Sequence, residues 1–312
     1  MKFSPIADHV ARPKWSVMIP TYNCAGTLRQ TLQSVLDQDP GPGVMQIEVV
    51  DNCSTKDRPE DVVQELGRGR VLFHRNPENI GPTRNFNMCI ERSQGALVHI
   101  LHGDDFVRPG FYDRLGALAD LHPTLALYAC RASFVDLSGT VTGVSRQLPG
   151  LESASRDSSP FYYATPLQYV GVAIRRSFYE KHGGFDTSFT FCPDCEMWDR
   201  AVSLGGGIML PEPLACYRMY GQMNGSNMVR TAEHFKELDR LAGLYAGRHP
   251  DFSWARHRKR VAREAWAQAE RYRKSGDTDG YAANLQFFKN YGTLLQKTRL
   301  TTKQFFKNLA GS

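Results

Sequence analysis

The chain has 312 residues, of which 41% are hydrophobic and 22% are charged, and its formal net charge is +6. This composition is typical of one large globular domain, or of a domain with an appendage, and it excludes a largely disordered chain. No apolar run is long enough to span a bilayer, and residues 1–5 lead into polar sequence without the hydrophobic segment of a secretion signal, so the sequence predicts a cytoplasmic protein.

Short apolar runs alternate with helical spacing over the first hundred residues. Strands are predicted at 16–20, 47–50, 71–74 and 96–101, and helices at 27–37, 59–66 and 83–94. Helices that separate continuously apolar strands are typical of a mainly parallel sheet covered on both faces. Because right-handed crossovers bring the carboxyl ends of parallel strands to one edge, the loops after these strands are expected to share one cleft.

The later part of the chain is less regular. Strands are expected at 125–129 and 170–174, a hairpin turn at 137–140, and helices at 176–182 and 194–204. The stretch from Pro149 to Pro160, which is rich in Ser, Gly and charge, is predicted to be a mobile loop over the cleft. From about Thr231 the composition changes to long helical patterns, which predict a helical appendage.

Charge and cysteine content give further expectations. Residues 252–312 carry 13 Lys and Arg against 4 Asp and Glu, a local balance of +9 that could meet an anionic membrane, an acidic partner or nucleic acid. A solvated helical face is the simpler explanation, and no aromatic-interleaved motif favours nucleic acid. Seven scattered cysteines are typical of reduced thiols, and the Cys192/Cys195 pair lacks the second pair that a zinc site would need.

The tetrad His102–Asp105, which directly follows the apolar run 96–101, ends in two adjacent carboxylates, Asp104 and Asp105. Carboxylates at the carboxyl end of a strand are suited to a divalent cation and to a phosphate ester bound with it. The alternative is that Asp105 caps a helix, since acidic residues suit helix starts. Tyr22 and Asp51 also follow predicted strands, so they are expected to converge on the same cleft.

Six motifs, taken together and in their order along the chain, resemble those of a known protein family. They lie at residues 17–23, 49–55, 79–85, 102–105, 183–186 and 194–200. Over residues 15–225 the chain resembles family 2 glycosyltransferases with the GT-A fold. The resemblance implies an α/β, Rossmann-like fold with an N-terminal arm (1–14), a GT-A domain (15–230) and a basic helical C-terminal region (231–312). It also implies inverting, metal-dependent transfer of a hexosyl-type sugar from a nucleotide-diphosphate sugar, a UDP-sugar being favoured.

The resemblance implies a role for individual residues. Asp194 would be the catalytic base, and Asp105 with Asp104 would hold Mn²⁺ or Mg²⁺. The nucleotide would be bound by Pro20, Tyr22, Asn23, Asp51, Asn52, Arg84 and Asp104. Contacts with the diphosphate or the sugar would come from His102, Gly103, Glu196, Trp198 and Arg218.

This chain departs from the family at three of these places. Asn52 stands where most relatives have a second carboxylate, and an amide, which both donates and accepts, can change the base preference. His102 stands in place of the usual Asp, and imidazole suits softer metals than magnesium. Tyr220 stands where a metal-binding His is frequent, which puts a third protein ligand in doubt.

The expected partners are a nucleotide-sugar donor and a saccharide or lipid-linked acceptor, in surface polysaccharide or glycolipid synthesis. The basic tail would suit an acceptor at the inner membrane surface, and the oligomeric state stays open. One alternative is a noncatalytic nucleotide-sugar-binding or scaffold protein, against which the retention of Asp104, Asp105 and Asp194 argues. A nucleotidyltransferase would need a glycine-rich basic loop, whereas residues 21–26 contain one glycine and no lysine.

Overall fold

The computed structural model describes residues 3–6, 12–162, 167–219 and 227–292. The chain divides into two compact units, Met1–Gly221 and Gln222–Ser312. The strands of the first unit are β1 (Trp15–Thr21), β2 (Met45–Asp51), β3 (Leu72–Arg75), β4 (Leu97–Ile100), β5 (Phe106–Val107), β6 (Leu127–Val135), β7 (Val141–Val144), β8 (Val172–Arg175) and β9 (Gly207–Arg218). Its helices are α1 (Ala25–Leu36), α2 (Pro59–Gly67), α3 (Pro82–Arg92), α4 (Phe111–Leu121), α5 (Arg176–His182) and α6 (Pro193–Gly205).

One sheet of nine strands organises the described part of the first unit, in the order β3-β2-β1-β4-β8-β6-β9-β5, with β7 paired to β6. The strands β1 to β4 pair in parallel, as predicted from the helices between them. Beyond β4 the sheet is mixed, since β8 runs antiparallel to both β4 and β6 while β9 runs parallel to β6. Antiparallel neighbours need no crossover helix, which is why this half lacks the regular alternation.

The core lies on both faces of the sheet. All seven residues of β1 are buried. Val17 and Ile19 belong to a cluster that includes Leu28 and Leu32 of α1, whereas Met18, on the opposite face, packs in a cluster with Ile90 of α3. A strand covered on both sides reads as a continuous apolar run rather than an alternating one, and this explains the pattern in the sequence.

The strand register places the candidate residues. β4 ends at Ile100 opposite Met18, while β1 continues to Thr21, which pairs with Asp51 at the end of β2. The residues after β4 therefore turn across the projecting end of β1. Pro82 and Pro193 occupy the first positions of α3 and α6, where proline's missing N–H is not needed, and they fix where these two helices begin.

The stretch predicted as a mobile loop is held against the sheet in its first half. Leu151, and Leu148 just before the stretch, are buried, and the main chains of Ser155 and Gly207 exchange two hydrogen bonds of 3.0 and 2.8 Å. These contacts restrict the mobility that the Ser- and Gly-rich sequence predicts, because two leucines and a strand edge fix the backbone.

The second unit is helical; its described helices are α7 (Asn227–Arg230), α8 (His234–Arg248), α9 (Trp254–Ser275) and α10 (Thr278–Tyr291). Ser253 and Asp277 cap α9 and α10 by accepting from the main-chain N–H groups of Arg256 and Gly280. These helices confirm the predicted helical appendage. Among the described residues, no helix combines the length and the apolar character that crossing a membrane requires.

Candidate active site

The loop after β1 is locked to the loop after β2. Asn23 has a φ of 54°, and its Oδ1 accepts hydrogen bonds from the main-chain N–H groups of Thr55 (2.8 Å) and Lys56 (2.9 Å). Its own N–H donates to Ser54 Oγ at 2.9 Å. The interlock holds Tyr22 at the surface with 46% of its area exposed, and hydrogen bonds from Asn79 and Thr55 lower the pKa of its phenol. Its ring is therefore available to pack against a nucleobase.

Asp51 is fully buried at the end of β2 and its carboxylate is saturated. Oδ1 accepts from the hydroxyls of Ser54 (2.5 Å) and Thr21 (3.2 Å). Oδ2 accepts from the Ser54 N–H (3.0 Å) and from Arg75 Nη1 (2.5 Å). In this arrangement Asp51 fixes the shape of the loops, and its predicted contact with a base stays a prediction.

The Asn52 side chain joins a second network. Its Oδ1 accepts from the main-chain N–H of Ile80 (3.0 Å) and from Asn76 Nδ2 (3.3 Å), while its Nδ2 donates to Asn79 Oδ1 (2.9 Å). These bonds connect β2 to the segment before α3. The Asn52 amide therefore makes a structural hydrogen bond that an aspartate could not make in its place, because a carboxylate has no N–H to donate to Asn79.

Arg84 lies on the first turn of α3 and is exposed. Its guanidinium has no ion pair or hydrogen bond within the part of the chain that the structure describes. An unengaged guanidinium can grip two phosphate oxygens at once. Of the predicted nucleotide contacts, Arg84 and Tyr22 are the two that present exposed side chains.

The tetrad His102–Asp105 is pressed against the end of β1. The Gly103 N–H donates to Pro20 O at 3.2 Å, and Gly103 O accepts from Thr27 Oγ1 at 3.0 Å. A Cβ at Gly103 would lie 2.8 Å from Cys24 Sγ and 2.9 Å from Thr21 Cγ2, closer than real Cβ atoms approach. A larger residue at this position would therefore force the side chain of Cys24 or Thr21 to move.

Asp105 does not cap a helix, because β5 follows it directly and α4 begins only at Phe111, after Gly110. Its side chain is 2% exposed, and its Oδ1 accepts a 2.8 Å hydrogen bond from the Arg218 N–H. Oδ2 is buried and has no partner among the described residues. Burial, followed by the charge of Asp104, raises the pKa of Asp105 well above its usual range.

The tetrad fits a divalent cation. His102, Asp104 and Asp105 each offer a ligand atom, and these atoms lie within 4.8 Å of one another. Two carboxylates that repel each other, one with a buried unpartnered oxygen, form an oxygen-rich site of the kind that Mn²⁺ and Mg²⁺ prefer. A bound cation would remove both the repulsion and the missing partner.

Asp194 is the second residue of α6 and is half-buried. Burial raises the pKa of its carboxyl to about 6, although N–H groups of the first helical turn act in the opposite direction. Tyr217 connects it with the tetrad, because burial and then the charges of Asp105, Asp104 and Asp194 raise the pKa of this phenol to about 12. The charges of all three predicted acidic residues therefore act on Tyr217.

The segment that precedes α6 is hydrogen-bonded to α3. Thr83 Oγ1 donates to Phe189 O at 2.9 Å, and the Asn87 side chain exchanges two hydrogen bonds with the main chain of Phe185. Arg84 and Asp194 consequently lie at the starts of two helices whose relative placement is fixed by buried hydrogen bonds.

The family model described as "Glycosyl transferase family 2" matches residues 16–183, more than half of the chain. The chain belongs to glycosyl transferase family 2. The predicted family is thereby confirmed. Among curated relatives, the succinoglycan biosynthesis protein ExoU of Rhizobium meliloti is 24% identical over 273 residues, which cover 78% of this chain and 74% of ExoU.

Two solved structures confirm the GT-A fold of this glycosyltransferase. S. aureus TarS 1–349 in complex with UDP-GlcNAc superposes with a TM-score of 0.58 at 16% identity, over 89% of this chain and 92% of that one. The mannosyltransferase PcManGT of Pyrobaculum calidifontis, in complex with GDP-Man and Mn²⁺, superposes with a TM-score of 0.56 at 19% identity, over 98% and 84%.

Two of the residues predicted to contact the diphosphate or the sugar are held by protein groups in the glycosyltransferase. The Arg218 guanidinium donates to Asp104 O (2.9 Å), Gln30 Oε1 (2.5 Å) and the carbonyls of Asp136 and Leu137. Glu196 is buried, and Arg200 bonds to both oxygens of its carboxylate. The ligand contacts predicted for Arg218 and Glu196 therefore stay predictions. In this structure both side chains hold neighbouring parts of the protein in place.

Sequence reasoning missed two residues of the glycosyltransferase site. The charges of Asp105, Asp104 and Asp194 contribute to the raised pKa of Tyr217. Tyr169 packs between His102 and Trp198, with ring centroids 4.5 and 5.3 Å away. Tyr217 adjoins Arg218 in the sequence but was given no role of its own, and Tyr169 lies beside an apolar run, where an aromatic residue indicates only burial. Tyr220 lies outside the described residues.

Proposed function

We propose that this glycosyltransferase moves a sugar from a nucleotide-diphosphate sugar to an acceptor hydroxyl, with inversion at the anomeric carbon. The observation that carries the proposal is the cluster of Asp104 and Asp105 with His102, whose ligand atoms lie within 4.8 Å of one another, joined to Asp194 on α6 by the ring contacts of Tyr169 with His102 and Trp198. Two of these carboxylates suit a cation, and the third suits a general base. Inverting sugar transfer needs both functions on opposite sides of the transferred sugar.

The donor class is supported by the two solved relatives, one bound to UDP-GlcNAc and the other to GDP-Man with Mn²⁺. A UDP-sugar is the first donor to test. The relative ExoU acts in succinoglycan biosynthesis, which supports a role for this chain in surface polysaccharide or glycolipid synthesis. The acceptor would then be a saccharide or a lipid-linked saccharide.

Asp104 and Asp105 would hold Mn²⁺ or Mg²⁺ through their carboxylate oxygens. Bound there, the cation would act as a Lewis acid that stabilises negative charge on the departing diphosphate. Arg84 would add hydrogen bonds from its exposed guanidinium to phosphate oxygens, and these bonds strengthen as charge accumulates.

Asp194 would accept the proton of the acceptor hydroxyl. The acceptor oxygen forms a bond to the anomeric carbon while the bond from that carbon to the phosphate oxygen breaks, and the nucleoside diphosphate leaves. A pKa of about 6 leaves Asp194 ionised at neutral pH and makes it a stronger base than an ordinary aspartate. Its place near the start of α6 keeps it on a rigid element.

Calorimetric titration tests the donor site. UDP, dTDP, GDP and CDP are each titrated with Mn²⁺ and again with a chelator, on the wild type, on Asp105→Ala and on the control Asp113→Ala, whose side chain is exposed on α4. We expect one nucleotide to bind with Mn²⁺, and this binding to be lost in Asp105→Ala alone. If none of the four binds the wild type, the proposed donor site is wrong.

Turnover separates an enzyme from a noncatalytic nucleotide-sugar-binding protein. With the nucleotide identified, its sugar conjugates are incubated with saccharide acceptors and release of the nucleoside diphosphate is followed. Release that depends on Asp194 supports the transferase. Tight metal-dependent binding, with release that is the same in the wild type and in Asp194→Asn, would instead make the scaffold protein the better description.

The basic helix α9 supports a second part of the proposal, contact with an anionic membrane surface. Arg256, Lys259 and Arg263 are exposed, and their spacing of three and four residues puts them on one side of the helix. Each basic residue near an anionic surface contributes about 1 kcal/mol of binding free energy. Changing all three to Gln should therefore lower binding to anionic vesicles by about 100-fold.

Sedimentation with vesicles at physiological salt measures this contact. Vesicles with anionic lipid are compared with vesicles of neutral lipid alone. The matched control removes three exposed arginines of the first unit, Arg29, Arg58 and Arg114. A wild type that ignores the anionic vesicles would exclude the membrane contact and leave the transferase proposal intact.

A further inference from the structure

An open groove lies in the first unit between the end of α5 and one side of α6. Its volume is about 420 Å³, which falls within the range of roughly 300–1,000 Å³ that is typical of small-molecule sites. The polar side chains that line this α5–α6 groove are Lys181, His182, Asp186, Thr187, Glu196 and Arg200.

The α5–α6 groove and the proposed base lie on different sides of α6. Glu196 and Arg200 follow Asp194 by two and six residues. At about 100° per residue they are turned roughly 200° and 240° around the helix axis from Asp194. The groove is therefore separate from the place where the acceptor hydroxyl would react.

The inner wall of the groove is fixed by Arg200. Its guanidinium bonds to both oxygens of the Glu196 carboxylate, and it donates to the carbonyls of His182 (2.7 Å), Gly183 (3.1 Å) and Gly184 (2.6 Å). These bonds join the turn after α5 to α6. A ligand entering the groove would meet a preformed wall, and preformed sites lose less conformational entropy on binding.

The rim of the groove carries polar groups that are open to a ligand. Lys181 and Thr187 are exposed, and neither side chain has a hydrogen bond or ion pair among the described residues. Burial, followed by the charges of Lys181 and Arg200, lowers the pKa of His182, so its ring is neutral at pH 7. A neutral imidazole can donate at one nitrogen and accept at the other.

The charges of the groove indicate the kind of ligand. Two cationic side chains, Lys181 and Arg200, line it together with two anionic ones, Asp186 and Glu196. A charged ligand of either sign would therefore meet groups of its own sign. An uncharged ligand with many hydroxyl groups could bond to the donors and the acceptors at once, since each hydroxyl both donates and accepts.

We propose that the α5–α6 groove is a second binding site of this glycosyltransferase, and that its ligand is an uncharged saccharide. The groove would hold part of the acceptor chain at a distance from the hydroxyl that reacts. The choice of a saccharide among uncharged polyhydroxylated ligands rests on the proposed function. The groove itself and its charge balance are independent of that function.

Saturation-transfer NMR on the full chain tests the ligand class. The neutral probes are cellotetraose, maltotetraose and mannotetraose; the charged probes are trigalacturonic acid and a chitosan tetramer. We expect at least one neutral probe to bind and both charged probes to bind more weakly or not at all. The affinity should be the same with and without UDP and Mn²⁺, because the groove lies on the other side of α6 from Asp194.

Two variants test the location. Thr187→Trp places an indole in the groove and should lower the affinity for the neutral probe by about tenfold or more. Lys181→Ala removes one donor and should lower it about three- to tenfold, the effect of one lost hydrogen bond. The matched control is Thr142→Trp, at an exposed position of β7. All three changes are at exposed positions, so the melting temperature should stay close to that of the wild type.

The proposal is wrong if no neutral probe binds at millimolar concentration, if only charged probes bind, or if Thr187→Trp binds like the wild type. Binding that is weakened by Asp194→Asn or by UDP with Mn²⁺, but not by Thr187→Trp, would place the saccharide beside the proposed base. That result would overturn the groove and support the proposed function. Absence of nucleotide binding would refute the donor site, whereas saccharide binding that depends on Thr187 would still support the groove.

Discussion

The main-chain N–H of Arg218, at the end of β9, donates a 2.8 Å hydrogen bond to Oδ1 of Asp105, which is 113 residues earlier in the chain. The bond occupies one oxygen of the carboxylate and leaves the buried Oδ2 without a partner in the described residues. The Arg218 side chain, 5% exposed, also holds Asp104 O. Arg218 therefore orients the Asp105 carboxylate through its main-chain N–H and holds the main chain of Asp104 through its guanidinium.

Replacing Arg218 by Met keeps the main-chain N–H that Asp105 accepts from but removes the guanidinium that holds the main chain of Asp104. The Mn²⁺-dependent part of nucleotide binding should weaken by about 10- to 100-fold, the usual effect of removing a group that positions metal ligands. The affinity for nucleotide in chelator should change little. Calorimetry with Mn²⁺ and with chelator measures both, and Arg114→Met, which removes an exposed arginine of α4 that pairs with Glu212, is the control. If the metal-free affinity falls equally, Arg218 instead contacts the diphosphate directly.

Asp194→Asn should reduce turnover by about 10²- to 10⁴-fold, the usual contribution of a positioned general base. Nucleotide and nucleotide-sugar affinities should stay close to those of the wild type, because the amide keeps the size of the side chain. Steady-state kinetics beside calorimetry separates the two effects. Asp113→Asn, an exposed acid of α4, is the control. Wild-type turnover in Asp194→Asn would exclude this residue as the base.

Activity should fall in acid with the titration of Asp194. Burial raises the pKa of this carboxyl to about 6. A base acts in its deprotonated form, so kcat/KM should be constant above that pH and should decrease about tenfold per unit below it. The residual activity of Asp194→Asn should lack this acid limb. A limb that persists in Asp194→Asn would assign the titration to another group.

Gly103→Ala should destabilise the fold and displace the tetrad. The added Cβ would meet Cys24 Sγ at 2.8 Å and Thr21 Cγ2 at 2.9 Å. We expect a loss of about 1–3 kcal/mol in the free energy of unfolding, together with weaker Mn²⁺-dependent nucleotide binding. Urea denaturation and calorimetry measure the two effects.

The matched control for Gly103→Ala is Gly26→Ala. Gly26 is an exposed residue of α1 whose added Cβ would have no neighbour within 4 Å. This variant should be neutral or more stable, since alanine loses less backbone entropy in a helix than glycine. Equal stability of the Gly103 and Gly26 variants would contradict the close packing of the tetrad against β1.

The alternation in the first hundred residues predicted β1 to β4 and the helices between them correctly. β1, β2 and β4 are buried along their whole length, and a parallel strand covered on both faces reads as a continuous apolar run, whereas β3 is a partly exposed edge strand. The same logic failed for β9. Pro211 and Pro213 interrupt its pattern, and the structure accommodates them where the register with β6 shifts. The strand that carries Tyr217 and Arg218 was therefore not recognisable from local sequence.

The sequence by itself determined the family, the parallel half of the sheet and the acidic residues at its edge. The ends of the strands and the order of the motifs can be read directly from the sequence. Only the tertiary structure decided which polar atoms are engaged. The Asp51 carboxylate accepts hydrogen bonds at both oxygens, whereas Asp105 Oδ2 and the Tyr169 hydroxyl have no hydrogen-bond partner among the residues that the structure describes. The physical reason is that a hydrogen-bond partner is set by distance in space, and these partners come from segments that spacing along the chain does not connect.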